Sequence, residues 1–407
     1  MFACGIDFGT TNSVAAIARP GEGSAVVVAQ EPSCILIVDE SAGHRLYVGQ
    51  EAVDRYLHVT APARFVKSMK SVLPDLAFTT TNIFGRHYGP EHLARPVLRR
   101  LKEQVEARTG QPMQAVTIGR PVRFSEDPQA DAEAERRLEK AAHLAGFQRV
   151  EFRREPEAAG WSYASRLDRE SRVIVADLGG GTADFSALLL RPDGRHEVLA
   201  TNGVRIGGDD FDGSLMWNKV VARFGWGSQY ESWGKYLDVP PHIYRALCHW
   251  DRIPFLKESE IRRDLKYILK GSTNPAAIER LIALIDGDLC YALFQAVIGT
   301  KHALSESERA TLAFDEGGIR VACDLARGEF EAMISQEVAR LRAETLETLR
   351  QAGIAVGEAE ACFLTGGTSL VPAIGRMYRD LFGPSRVRTG DTFTSVAVGL
   401  ALMAAAG

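Results

Sequence analysis

The sequence predicts an α/β fold in two lobes with duplicated halves, and three observations carry that expectation. An apolar strand (Phe2 to Ile6) ends in a lone carboxylate and a turn, Asp7-Phe8-Gly9-Thr10-Thr11-Asn12-Ser13, before a second apolar strand (Val14 to Ala18). The same device returns mid-chain, where Val173 to Ala176 leads into Asp177-Leu178-Gly179-Gly180-Gly181-Thr182-Ala183-Asp184 and then Phe185 to Leu190. In both halves strands then alternate with helical periodicity. One such hairpin reads as an ordinary tight turn; two read as duplicated halves gripping one polyphosphate from both sides. The glycines let the backbone come close and aim N–H groups at anionic oxygens. The hydroxyls add donors, and each aspartate can hold a hydrated divalent cation beside the phosphates.

The elements follow in order. Short strands are expected at Phe2–Asp7, Val14–Ala18 and Ala25–Gln30, and residues 31–90 are mixed and turn-rich. A helix is expected over Glu91–Arg108, because Leu93, Val97, Leu101 and Val105 recur every fourth residue. A strand at Ala115–Gly119 precedes Pro121 and a helix over Ala132–Ala145 closed by Gly146. Strand Val150–Arg153 leads into Glu155-Pro156 and a short helix through Ala164. Strands at 172–177, 184–190 and 196–200 repeat the theme, followed by a glycine turn at 207–208. Residues 225–300 read as largely helical with aromatics. One long helix is expected over Arg327–Ala352, with Phe330, Ile334, Val338, Leu341, Thr345 and Leu349 on one face. Strand Ala361–Thr365, Gly366-Gly367 and a helix from Val371 complete the core.

These elements divide into a first lobe, 1–170, with an inserted subdomain at about 31–110. The second lobe spans 171–385 and carries a helical insertion at about 225–300; residues 386–407 are a C-terminal helix packing back on the first lobe. No low-complexity linker separates the halves, so they are expected to be interleaved by a crossing helix.

At 407 residues the chain is long enough for two sizeable cores. A formal net charge of −4 argues against bulk electrostatic binding of nucleic acid or acidic membranes. Six scattered cysteines without a C-x-x-C pair read as reduced structural thiols, which fits a reducing compartment. The first strand begins directly after Met1, leaving no room for a cleavable signal, and no apolar run reaches membrane-spanning length. A cytoplasmic location is the expectation.

The ordered motifs resemble the ATPase domain of the seventy-kilodalton heat-shock chaperones (DnaK type), within the actin and sugar-kinase superfamily. Asp7–Ser13 is similar to the family's first phosphate segment and Asp177–Asp184 to its second. Glu155-Pro156 with Ala158-Ala159, the block Gly207-Gly208-Asp209-Asp210-Phe211-Asp212, the helix positions Lys301, Leu304 and Ser305, and the adenosine loop Gly366-Gly367-Thr368 with Pro372 follow in the family's order. Phe65-Val66-Lys67-Ser68 and Phe393-Thr394-Ser395-Val396 resemble the short YegD-like branch. The resemblance implies a two-lobed actin-like ATPase fold with ribonuclease-H-like halves, the cofactors ATP/ADP and Mg²⁺, and an unidentified protein partner or client. A switch lacking the β-rich peptide-binding domain of full chaperones is the expectation.

The roles implied are these. Asp7 and Asp177 would hold the hydrated Mg²⁺. Gly9, Thr10, Thr11, Asn12 and Gly179, Gly180, Gly181, Thr182 would bind phosphate oxygens. Lys67 would neutralise charge on the γ-phosphate, with Lys70 the rival one helical turn on and a surface lysine the bland reading of both. Glu155 would orient water or the metal shell, assisted by Asp184 and Thr182. Gly207, Gly208, Asp209, Lys301, His302, Ser305, Gly366, Gly367, Thr368 and Leu370 would surround the nucleoside. Here the sequence departs from the family: His302 and Leu370 stand where arginines flank adenine, and Ile298 replaces a glutamate that reaches the ribose. His302 reads equally as a surface residue.

A slowly hydrolysing ATP switch is therefore the leading expectation. A small-molecule kinase, a filament-forming ATPase and a pseudo-ATPase scaffold are the alternatives.

Overall fold

The computed structural model describes all residues except 1, 41–42, 57–58, 60, 165–168, 192–195, 251, 390–393 and 407. Phe393 of the branch motif therefore lies outside the described residues.

Two five-stranded sheets share one topology. In the first, Ala3–Phe8 pairs antiparallel with Asn12–Ala18, which pairs antiparallel with Ala25–Pro32. On its other side Ala3–Phe8 runs parallel to Ala115–Arg120, and that strand runs parallel to Arg149–Arg154. The second sheet repeats this: Ser171–Leu178 is central, Ala183–Leu190 and His196–Val204 follow antiparallel, and Ala361–Thr365 and Val387–Thr389 lie parallel on the far side. This is a mixed α/β structure of the actin-like ATPase class with duplicated halves.

The chain forms two compact units: residues 1–205, 341–369 and 374–407, and residues 206–340 with 370–373. Both five-stranded sheets belong to the first. Helix Pro90–Thr109 forms where its apolar spacing predicts, starting with proline at the first helical position and ending at Gly110, whose φ of 68° is the left-handed cap glycine tolerates. Leu93, Val97, Leu101 and Val105 are buried in the core of the first sheet.

Two helices line the sheets. Ser395–Ala406 packs on strands Ala3–Phe8 and Asn12–Ala18, and Glu155–Ala164 packs on strands of the second sheet. They touch each other through small residues: a Cβ at Gly399 would stand 1.8 Å from the Ala158 carbonyl oxygen. A Cβ at Gly5 would stand 2.4 Å from the Ala401 nitrogen, so only glycine allows this approach. The segment between the third and fourth strands of the first sheet folds as a small antiparallel sheet, Gly43–Val48, Cys34–Glu40 and Ala63–Lys67, followed by the one-turn helix Met69–Val72.

The second unit is mainly helical, with helices Gly208–Lys219, Pro241–Leu247, Ser259–Gly271, Pro275–Asp286 and Cys290–Glu306. It also holds two hairpins. One, Arg309–Glu316 with Ile319–Ala326, is absent from the sequence expectations, although Gly317 and Gly318 at φ 58° and 76° make the mirror-image turn that hairpins favour. The single helix expected over Arg327–Ala352 is two, Arg327–Met333 and Ser335–Gln351. The break falls at Ile334, fully buried with φ −99° and ψ 9°, outside the helical range.

No single helix among the described residues is long and apolar enough to cross a membrane. All six cysteines are free, five of them buried.

Candidate functional site

The two predicted phosphate hairpins are superimposable in register. Asp7 stands opposite Val14 and Phe8 opposite Ser13; Asp177 stands opposite Asp184 and Leu178 opposite Ala183. The intervening turns, Gly9–Asn12 and Gly179–Thr182, have the same length. Gly9 has no alternative, because a Cβ there would stand 2.1 Å from the Asn12 carbonyl oxygen. In the second turn the Gly179 N–H donates to the Thr182 carbonyl at 2.9 Å. Thr10, Thr11, Asn12, Gly180 and Gly181 are only partly covered, so both turns remain open to a ligand.

The hairpins bring three half-buried carboxylates under one electrostatic influence. Burial and then Glu155 push Asp7 well above the usual carboxylate range, with Lys70 opposing and Asp177 adding to the shift. Asp177 is pushed up to about 7 by burial and by Glu155, against Lys70. Asp184 also reaches about 7, through burial, Asp177 and Glu155, while Lys70 and a hydrogen bond from Thr182 oppose the rise. Glu155, itself buried, ion-pairs with Lys70 at 2.6 Å. Gly119 makes room for it, since a Cβ there would stand 3.0 Å from Glu155 Cγ. Burial alone would lower the Lys70 ammonium, but Glu155, Asp7 and Asp177 hold it above its ordinary value. Four acids share one lysine, a balance that favours added positive charge.

Lys70, the rival in the sequence reading, is the lysine that meets this cluster, while the preferred Lys67 lies on a strand. Lys67 ends strand Ala63–Lys67 opposite Cys34, where its charge acts on the Cys34 thiol. The apolar Phe65 and Val66 belong to a strand, and the lysine that meets Glu155 lies on the one-turn helix that follows. The better signal was Met69 and Leu73, four apart and both fully buried, which bracket Lys70 on the following turn.

The third predicted loop abuts the second hairpin. Thr365 pairs with Asp177 across parallel strands. Gly366 has φ 78°, and a Cβ there would stand 2.3 Å from the Leu178 carbonyl oxygen and 2.9 Å from Asp177 Oδ1. Gly367 opens a single 3₁₀ turn, and Thr368 Oγ1 donates to the Gly179 carbonyl at 2.7 Å.

In the second unit, Gly207 caps helix Gly208–Lys219 and its N–H donates to Asp210 Oδ2 at 2.8 Å. Asp209 Oδ2 accepts from the Trp250 indole at 2.9 Å. Lys301, expected to reach the nucleoside, is buried and donates to Asp212 Oδ2 at 2.8 Å and the Gly208 carbonyl at 3.0 Å. Ser305 Oγ donates to the Lys301 carbonyl at 3.1 Å. His302 lies on an exposed stretch of helix Cys290–Glu306, its pKa lowered by neighbouring protein mass and then by Lys301. Leu370 is 52% exposed, unusual for a large apolar side chain.

The Hsp70 protein family matches residues 67–231 and 286–406, which include Lys70, Glu155, the second hairpin and the Gly366 loop. The chain belongs to the Hsp70 family. It is therefore a chaperone-type ATP-binding domain, of a family that binds ATP and ADP with Mg²⁺ and works with clients and cochaperones.

The phosphate cluster fits such ligands. The Thr11 hydroxyl is buried without a hydrogen-bond partner, as a donor awaiting an anionic oxygen would be. Among the described residues no three His, Cys, Asp or Glu side chains converge as a direct metal cage. The acidic surplus of Asp7, Asp177 and Asp184 suits Mg²⁺, which dehydrates reluctantly and takes its remaining ligands from phosphates and water.

Proposed function

We propose that this Hsp70-family chain is a Mg²⁺-dependent ATP switch that hydrolyses its nucleotide slowly and acts on or through a protein partner. The observation that carries the reading is the paired hairpins, whose aspartates share one cluster with the Lys70–Glu155 ion pair. The duplicated sheet topology is what supports reading the chain as two halves, 1–170 and 171–385, although strand Val387–Thr389 of the second sheet lies beyond that boundary. Ser395 and Val396 support a place in the short YegD-like branch, and six unpaired thiols support a cytoplasmic location.

The chemistry falls to a few side chains. When bound, Mg²⁺ supplies charge neutralisation at the phosphate oxygens. Asp7 and Asp177 would hold the hydrated ion. Thr11, Thr10 and the backbone N–H groups of Gly180 to Thr182 donate to phosphate oxygens. Lys70 stabilises negative charge that grows in the transition state, while Glu155 holds Lys70 in place and accepts from the attacking water. Asp184 and Thr182 complete the polar floor. No covalent intermediate is required, because phosphoryl transfer to water is mostly positioning and electrostatics.

The nucleoside side is remodelled, and adenine preference there rests on the family. Calorimetric titration with ATP, ADP and GTP in the presence and absence of Mg²⁺, followed by phosphate release from the same sample, tests the reading. Mg²⁺-dependent ATP affinity with slow turnover supports it; absence of nucleotide binding in folded protein overturns it. His302→Arg with Leu370→Arg is expected to tighten ATP several-fold, since each restored cation–π contact contributes roughly 0.5–2 kcal/mol.

A further inference from the structure

Helix Met69–Val72 is one turn long, too short to hold itself in water, and it carries Lys70. Its fixation therefore comes from outside. On its N-terminal side Ser68 sits in the left-handed region at φ 55°, and its N–H donates to the Ser33 carbonyl at 3.2 Å. Met69 and Leu73 anchor one face in the core. The C-terminal end has a different problem: the last carbonyls of a helix lack intrahelical donors, and burying them unpaired is costly.

Arg137, on helix Pro128–Leu144, meets that need. Its side chain is buried, and its Nη1 donates to the Leu73 and Asp75 carbonyls at 2.8 Å each and reaches the Val72 carbonyl at 3.5 Å. Its Nη2 donates to the Phe78 carbonyl at 3.2 Å, and Glu133 Oε1 accepts from its Nε at 2.8 Å, which fixes the plane of the guanidinium. One side chain thus satisfies the exit of the Lys70 helix and the loop that follows. The arrangement uses the fork of arginine; a lysine offers a single point of donation. A positive group at the helix C-terminus also matches the helix dipole.

We infer that Arg137 is a positioning residue for Lys70: by gathering the carbonyls of Val72, Leu73, Asp75 and Phe78 it holds the one-turn helix so that the ammonium meets Glu155. The hydrogen-bond partners of Arg137 are Glu133 and these four carbonyls, not Asp7, Glu155, Asp177 or Asp184. The inference rests on Lys70 serving the phosphate site, but its structural core is independent of turnover.

The test is acetylation of the folded, nucleotide-free protein, with Lys70 and the exposed Lys235 followed in the same sample by mass spectrometry. In the parent, Lys70 is slow relative to Lys235. Arg137→Ala is expected to raise the Lys70 rate roughly tenfold, the size of a lost set of hydrogen bonds, with Lys235 unchanged. Arg137→Lys, the milder change should the alanine variant fail to fold, is expected to raise it a few-fold. In an ATPase assay the same variants should lower kcat while leaving Mg²⁺-ATP affinity near the parent value. An unchanged Lys70 rate in either folded variant overturns the inference, as does a uniform rise across all lysines, which would mark a merely structural role. A parent without turnover would count against slow hydrolysis, while the labelling would still decide the role of Arg137.

Discussion

The two phosphate hairpins have one backbone and different neighbours. Asp7 and Asp177 occupy equivalent strand positions, yet the residue across the ladder is Val14 in the first hairpin and Asp184 in the second. Val14 is buried in an apolar cluster with Ala397 and Ala401 of the C-terminal helix. Asp184 is half-buried, hydrogen-bonded by Thr182 and influenced by Asp177 and Glu155. Gly203 on the next strand leaves space for it, since a Cβ there would stand 3.1 Å from Asp184 Oδ1. The duplication supplies two equivalent aspartates; packing decides that the residue across the ladder is apolar in one hairpin and a second acid in the other. The Lys70–Glu155 pair is attached to neither hairpin's sequence, so this part of the charge pattern enters from outside the hairpins.

The largest expected effect breaks the outside contribution. Lys70→Ala should lower ATP turnover about 100-fold, the scale seen when a donor to a developing charge is removed, with a smaller loss of affinity. Lys67→Ala should change turnover little. Single-turnover kinetics on both variants check this, and the reverse pattern would place the working lysine on the strand.

Exchanging the residues across the ladder sharpens the comparison. Val14→Asp places a carboxylate among apolar side chains with no partner provided, and should cost about 3 kcal/mol of stability or abolish folding. Asp184→Val removes a carboxylate from an acid-rich site and should stabilise the nucleotide-free protein, while weakening Mg²⁺-nucleotide affinity up to about tenfold. Chemical denaturation and calorimetry on the two variants test the contrast; equal destabilisation by both would erase it.

The smallest effect is in the pH dependence. The folded-state values of Asp177 and Asp184 lie at about 7, above an ordinary aspartate at 3.8. Between these limits the folded protein keeps protons that the unfolded chain has released, so stability falls as pH rises, and the full cost is present above about 7. Without Mg²⁺ and nucleotide, the thermal midpoint of the parent relative to Asp184→Val should drop by a few degrees from pH 5 to pH 8. A constant difference across that range would contradict the shared acid cluster.

Much of this was legible in the sequence for a physical reason. Strand, glycine turn and lone aspartate form a local pattern whose chemistry sits within a few residues, so both hairpins and the Gly366 loop could be read directly. Helix Pro90–Thr109 announced itself through Leu93, Val97, Leu101 and Val105. What failed depended on long-range packing. Lys67 and Lys70 differ by one turn, and only the approach of Glu155 from a distant helix separates them. The ion pair of Lys301 with Asp212 likewise joins residues far apart in the chain. The break at Ile334 follows from where its side chain is buried, and an amphipathic stripe passes through it without a signal.

The central claim is that both hairpins serve one Mg²⁺-nucleotide site. A double-mutant cycle on Asp7→Asn and Asp177→Asn, read by calorimetric titration of ATP with and without Mg²⁺, tests it most directly. Each single variant should stay folded, since an amide replaces a carboxylate that is costly to ionise, and should lose roughly ten- to hundredfold in Mg²⁺-dependent affinity. The double variant should lose far less than the product of the two, because the aspartates act on the same ion. Full Mg²⁺-dependent affinity in either single variant, or strictly multiplicative losses, would contradict a shared site.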